Sequence, residues 1–234
     1  MPKVSVICIS KTPSELDGKA AQLRGQTLQD FEFIGESGGT IPEAWNRAIQ
    51  RSTGEILVFT ETDAQPIAPT WLEELVNAAS DPAIIVKGLE VTGQPWDLSN
   101  LACHRLVLQD VRFDESFRWA EDTELFCRLK SMGYRLEQVP KAPVIHLRKS
   151  GSKRAYRRAF RYGVYQARLH YRYGPDELAS GLGAPAKLLA ASVLRILGLL
   201  LGYAAFWPER RGLFHRRSPA CSRSQNNPAP GDET

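Results

Sequence analysis

Apolar residues in this chain switch between continuous runs and helical spacing. Val4 to Ile9 is an unbroken β-branched run, as expected of a strand buried on both faces. A helical stretch follows over Glu15 to Gln26, then a second strand at Phe31 to Ile34 and a turn at Ser37-Gly38-Gly39. Within Pro42 to Arg51, Ala44, Trp45, Ala48 and Ile49 fall on one helical face, Thr53-Gly54 stops the helix, and Ile56 to Thr60 is a third strand. A helix over Thr70 to Ala79 and a strand at Ile84 to Val86 continue the alternation, which predicts an open, mostly parallel sheet flanked by helices. After Val91 the pattern loosens, and it returns with a helix over Glu121 to Met132 and a short strand at Val144 to Leu147.

Beyond Gly151 the character changes. An arginine-rich helix leads into a Gly/Pro break from Gly174 to Pro185, an apolar stretch from Leu188 to Trp207 and a polar tail. The expected organisation is a catalytic-type α/β domain over 1–150, a basic helix and apolar segment over 151–207, and a basic, disordered tail over 208–234. Charge sharpens this division. Fourteen basic and twenty-one acidic residues precede His146, whereas sixteen basic and five acidic residues follow it, so a net −7 gives way to +11. Such an appendage suits an anionic partner. Cys8, Cys103, Cys127 and Cys221 form no C-x-x-C pair, and the N-terminus enters a strand-like run without a signal-peptide pattern. Both features point to a reducing, cytoplasmic setting.

Two acidic constellations carry candidate chemistry. Glu61-Thr62-Asp63 follows the run Ile56-Leu57-Val58-Phe59, at the carboxyl edge where open α/β sheets bind ligands. Carboxylates at i and i+2 on a turn can bend toward one hard cation; alone, the triplet reads first as a solvated acidic turn, and its position after a buried strand is what shifts the balance toward a ligand site. Glu121-Asp122 opens a helix, preceded by Phe113-Asp114-Glu115-Ser116-Phe117. Acids in a first turn complement the helix dipole, and the same place can aim a carboxylate at an acceptor hydroxyl; spacing does not decide between these.

The ordered set Pro2-Lys3-Val4-Ser5-Val6-Ile7, Asn46-Arg47-Ala48, Thr53-Gly54-Glu55, Glu61-Thr62-Asp63, Asn100-Leu101-Ala102, Phe113 to Phe117 and Glu121 to Leu125 resembles the family 2 glycosyltransferases of GT-A fold. The resemblance covers roughly residues 2–150. It implies inverting transfer of a sugar from a nucleoside-diphosphate donor, with Mg²⁺ or Mn²⁺ as cofactor. It places the family's D-x-D motif on Glu61 and Asp63, and its E-D motif on Glu121 and Asp122 with Asp122 as general base. His146 falls where many members carry a histidine that completes the metal site. Ser10, Glu36, Asn46, Asn100 and Arg105 become donor-side residues by the same resemblance. Two departures stand out: Glu61 replaces the usual first aspartate, and Gly35-Glu36-Ser37-Gly38-Gly39 replaces an Asp-Asp-Gly-Ser turn, leaving Glu36 as the acid nearest the nucleobase.

In the basic helix, Arg154, Arg157, Arg158, Arg161, Arg168 and Arg172 form one stripe, with no acid between Arg148 and Gly174. Donor diphosphate, a lipid-linked phosphate and an anionic membrane are the candidate anions; without an RNA-binding signature, nucleic acid is not expected. Leu188 to Trp207 carries one charge, Arg195, and is long enough to span about 30 Å as a helix. Arg195 at mid-bilayer would cost about 2.5–3.5 kcal/mol, and basic residues flank both ends, which favours a helix lying in the cytoplasmic interface. Gly198 and Gly202 offer a G-x-x-x-G face for helix packing or self-association. The expected protein is a glycosyltransferase of cell-envelope polysaccharide assembly, peripheral to the inner face of the membrane, acting on a glycan or lipid-linked acceptor. Rival readings are a non-catalytic nucleotide- or glycan-binding relative and a membrane adaptor; Asp63 and Asp122 favour the enzyme.

Overall fold

The computed structural model describes residues 3–91, 98–147, 152–174 and 196–206. The chain runs β1 (Val4–Ser10), α1 (Pro13–Leu23), β2 (Phe31–Ser37), α2 (Ile41–Arg51), β3 (Ile56–Glu61), β4 (Ala64–Pro66), α3 (Trp71–Ala78), β5 (Ile84–Glu90), β6 (Asn100–His104), α4 (Arg105–Gln109), α5 (Glu121–Ser131), β7 (Arg135–His146) and α6 (Ser152–Tyr173). A further helix, α7, covers 196–206.

The seven strands form one sheet in the order β2-β1-β3-β6-β5-β7-β4. β1 pairs in parallel with β2 and β3, and β5 with β7, but β6 runs antiparallel to both β3 and β5, and β4 antiparallel to β7. The expected mostly parallel sheet is therefore corrected to a mixed one. The missing piece was β6, a five-residue strand in the stretch where the sequence pattern loosens. The expected short strand at Val144 is likewise the end of a twelve-residue β7.

Apolar residues explain why the layers close. On one face, Trp45 of α2 meets Phe59 of β3 edge-on, with centroids 5.4 Å apart, and stacks on Phe113 at 6.3 Å. Leu125, Phe126 and Leu129 of α5 join the same cluster. On the other face, Trp71, Leu72, Leu75 and Val76 of α3 pack on Val4, Val6, Ile56 and Val58. Burying each such side chain contributes about 1.5–3 kcal/mol, so the two faces hold the central strands and their carboxyl ends rigid.

The C-terminal helices seal against this body. α6 packs Leu169 onto Phe117 and Ala120, just before α5. Arg172 pairs with Asp114 at 2.7 Å, Tyr173 donates to Glu124 at 2.6 Å, and Arg168 donates to the Ser116 carbonyl at 3.0 Å while covering the Phe117 ring. α7 then lies on α6 through its two glycines. A Cβ at Gly198 would strike the Phe160 carbonyl, and one at Gly202 the Val164 carbonyl. The G-x-x-x-G pair is thus used within the chain.

Candidate functional site

β3 delivers Glu61 at its carboxyl end, and the chain turns through Thr62 and Asp63 into β4. β4 is only three residues long, yet its register is decisive: Ala64 lies opposite His146, and Leu147 donates its amide to the Asp63 carbonyl at 2.7 Å. His146 Nε2 consequently sits 3.1 Å from Glu61 Oε2 and 3.0 Å from Asp63 Oδ1. The imidazole is fully buried, while the two carboxylates are 35% and 42% exposed, so the trio opens outward from a fixed nitrogen. One ligand atom from each lies within 4.8 Å of the others. The three residues read from sequence as a metal set are brought together.

Glu121 and Asp122, at the start of α5, share the electrostatic space of this cluster. Burial, then the Asp122 carboxylate, and further the Glu61 carboxylate push the Glu121 carboxyl up to about 8. The Glu61 contribution puts the start of α5 within electrostatic reach of the cluster. Asp122 Oδ1 accepts the Thr123 amide at 2.7 Å, which fixes its side chain on the first turn. Ala120, immediately before, adopts a left-handed conformation with φ 57°, a strained entry for a residue with a Cβ.

The donor-side expectations divide. Ser10 bonds Glu15 and accepts the Thr12 amide at 3.2 Å, stiffening the β1–α1 loop at the same sheet edge. Glu36 lies between Arg47 at 3.2 Å and Arg51 at 2.8 Å; burial opposes its ionisation, but these arginines outweigh it and hold the carboxyl below its usual range. Asn46 accepts the Phe113 amide at 2.9 Å and donates to Glu115 at 2.9 Å, tying α2 to the segment before α5. Asn100 is fully buried, accepting from Trp71 Nε1 at 2.7 Å and donating to the Ala142 carbonyl at 2.9 Å. Asn46 and Asn100 hold framework together here. Arg105 is not brought to the cluster: β6 is antiparallel to β3, so Thr60 faces Asn100 whereas Ile56 faces His104. Arg105 therefore lies at the opposite sheet edge, bonded to Ser52.

Of the arginine stripe, Arg157 and Arg161 are exposed, with Arg161 lying over the Trp119 ring. Arg168 and Arg172 face the domain through the pairs given above. The side chains of Arg154 and Arg158, residues 188–195 and 207 of the apolar stretch, and the tail expected over 208–234 lie outside the described residues.

Sequence reasoning missed Lys19, which sits beneath the cluster. Its ammonium donates to the Ala64 carbonyl and to Gln22 at 2.9 Å, and burial brings it down to about 8 against the opposing pull of Cys8, Asp63 and Glu61. The signal was present: Leu16, Lys19 and Leu23 share the inward face of α1. Glu90, Lys87 and Ser99, packed behind His146, were also missed.

No protein-family model and no curated protein matches this sequence. Among solved structures, the chain is similar to the mannosyltransferase PcManGT from Pyrobaculum calidifontis, in complex with GDP-Man and Mn²⁺. The TM-score is 0.62 at 18% identity, over 92% of this chain and 81% of that one. At this identity the likeness is one of fold.

Proposed function

We propose that this chain is an inverting glycosyltransferase of the GT-A type, moving a hexosyl or related sugar from a nucleoside-diphosphate donor onto a glycan or lipid-linked acceptor. The observation that carries the reading is the cluster of Glu61, Asp63 and His146, with Glu121 at the start of α5 within its electrostatic reach. Two carboxylates and an imidazole suit Mg²⁺ or Mn²⁺, and Mn²⁺ tolerates the nitrogen ligand better. A cation held by Asp63, Glu61 and His146 would neutralise charge on the diphosphate leaving group.

The protein's own groups do the rest. Asp122 takes the proton of the acceptor hydroxyl as its oxygen bonds to the anomeric carbon. The bond from that carbon to the diphosphate oxygen breaks on the opposite face, so one displacement inverts the centre. Glu121, held largely protonated near neutral pH, donates a hydrogen bond instead of competing as base. Lys19 fixes the Ala64 carbonyl and with it the turn that presents Asp63.

The chain's setting is read as the cytoplasmic face of a membrane, in cell-envelope polysaccharide assembly. Ile196, Leu197, Leu200 and Leu201 are exposed on α7, opposite the glycines that pack on α6. No helix among the described residues is long and apolar enough to cross a bilayer; the exposed apolar side chains of α7 support a placement in the interface.

A melting-temperature screen of nucleoside diphosphates with Mn²⁺ or Mg²⁺ tests the core of the reading, since a ligand that binds only the folded chain stabilises it. At least one diphosphate should raise the midpoint, and only with the cation. No rise with any base and either cation would refute the assignment.

A further inference from the structure

We propose that Glu90 is a positioning residue for the cation cluster, its buried carboxylate taking the Nδ1 side of the His146 ring so that Nε2 faces Glu61 and Asp63 as a ligand. The proposal rests on the reading of that cluster as a cation site.

The two nitrogens of one buried ring are addressed from opposite sides. Nε2 is 3.1 Å from Glu61 and 3.0 Å from Asp63, and Nδ1 is 3.6 Å from Glu90 Oε2, an electrostatic contact just longer than a hydrogen bond. The carboxylates on the Nε2 side are partly exposed, where an ion can enter; Glu90 is 2% exposed and lies on the far side of the ring from that opening. A carboxylate behind a ligating imidazole fixes its orientation and raises its basicity.

The fold invests in keeping Glu90 there. A buried carboxylate is costly unless paired and hydrogen-bonded. Its Oε1 is held by Lys87 Nζ at 3.3 Å and by the Ser99 hydroxyl at 2.5 Å, and Lys87 is itself 1% exposed. Residues three apart on a regular strand point to opposite faces. Here the β5–β7 register shifts between Gly88 and Glu90, which turns Glu90 to the side of Lys87 and His146. Gly88 is required at that irregularity, because a Cβ would strike Asn100 and the Ala142 carbonyl.

The test uses the full chain and Mn²⁺ alone, with the dissociation constant read by electron paramagnetic resonance of free Mn²⁺. Asp63→Asn should abolish binding at the cluster, and Glu90→Gln should weaken it about 10- to 100-fold. Because Glu90→Gln removes the carboxylate that Lys87 pairs with, the Lys87→Met/Glu90→Gln double variant, which removes both charges, is measured alongside; it should remain weakened once melting shows it folded. With Zn²⁺ as a diamagnetic probe, nitrogen-15 histidine spectra should show a slowly exchanging, low-field Nδ1 proton, lost in His146→Gln and moved upfield in Glu90→Gln. Wild-type Mn²⁺ affinity in the folded double variant would overturn the role of Glu90. Equal Mn²⁺ binding by wild type and Asp63→Asn would instead overturn the cation site and the proposal with it.

Discussion

Ala64 and His146 lie opposite one another in the antiparallel β4–β7 pair, and this register alone sets the imidazole against Glu61 and Asp63. The three ligand candidates come from segments more than eighty positions apart, and a three-residue strand joins them. Their chemistry therefore depends on backbone pairing as much as on side-chain identity.

The first expectation concerns the cation. Saturating Mn²⁺ with a matching nucleoside diphosphate, at about 100 times its dissociation constant, stabilises the folded chain by about 2.7 kcal/mol, a rise of roughly 5–10 °C in melting temperature. Asp63→Asn and His146→Gln should lose most of that rise. Glu61→Asp should keep it, since the charge remains and only a methylene is lost. Chelation with EDTA should return wild type to the melting temperature of the variants.

Asp122→Asn should cut turnover by about 10²–10⁴ with donor affinity nearly unchanged, because it removes the proton acceptor and leaves the cluster intact. Steady-state kinetics paired with the melting assay separates the two effects. Near-normal turnover would reduce Asp122 to a helix-terminus acid held by the Thr123 amide.

Glu121 supplies a stability signature with a defined sign. Its folded-state carboxyl is raised, so the folded chain keeps a proton that the unfolded chain gives up. The associated stability is fully present below the unfolded value of about 4.5 and is lost as pH rises toward about 8. Glu121→Gln should thus match wild type near pH 4.5 and exceed it increasingly toward pH 8, by about 1–3 kcal/mol. Differential scanning calorimetry across that range checks it; a constant difference at every pH would refute the assignment.

How much of this was legible in the sequence depends on how local each feature is. Glu61 and Asp63 were readable because an apolar run followed by acids at i and i+2 places them at a sheet edge without reference to distant residues. Glu121 and Asp122 were readable as first-turn acids of a helix, but spacing left their role open and only the resemblance supplied one. β6 was not, since Leu101, Ala102 and Cys103 form an apolar run too short to stand out between Asn100 and His104. Missing β6 misplaced Arg105, because only the antiparallel direction reveals that the strand carries it away from Glu61. The resemblance makes Asn46 and Asn100 donor-side residues, yet their amides engage backbone groups, Glu115 and a tryptophan more than twenty positions distant. The Glu90 and Lys87 pair was hidden by the β5 irregularity, which breaks the two-residue alternation from which strand faces are read.

Ala120 offers a backbone test. At φ 57° a residue with a Cβ is strained by about 1–2 kcal/mol, but its methyl is buried against Phe117 and Leu169 and contributes about 0.8 kcal/mol. Ala120→Gly relieves the first and forfeits the second, so its stability should change by less than about 1 kcal/mol. Ala120→Val, β-branched at positive φ in a packed cluster, should lose at least about 2 kcal/mol. Urea denaturation distinguishes them, and equal stability of the two variants would mean the left-handed entry to α5 is not adopted.

The last expectation separates the two halves of the arginine stripe. Arg168 is 8% exposed, donates to the Ser116 carbonyl and covers the Phe117 and Phe206 rings, so it acts on the fold. Arg157 and Arg161 are exposed, and the outward face of α7 presents Ile196, Leu197, Leu200 and Leu201. If the chain docks on anionic membrane, Arg157→Ser with Arg161→Ser should weaken co-sedimentation with phosphatidylserine vesicles at low salt, each arginine contributing about 1 kcal/mol that salt screens. Leu197→Ser with Leu200→Ser should weaken it at low and high salt alike, because burial of apolar side chains is not screened. Arg168→Met should lower the melting temperature, since it leaves the Ser116 carbonyl without this donor and removes the cation from both rings, yet leave vesicle binding unchanged. Full-length protein that stays in the supernatant at low salt would refute the membrane reading. If Arg168→Met released protein from vesicles without altering its melting temperature, the inward placement of that arginine would fail as well.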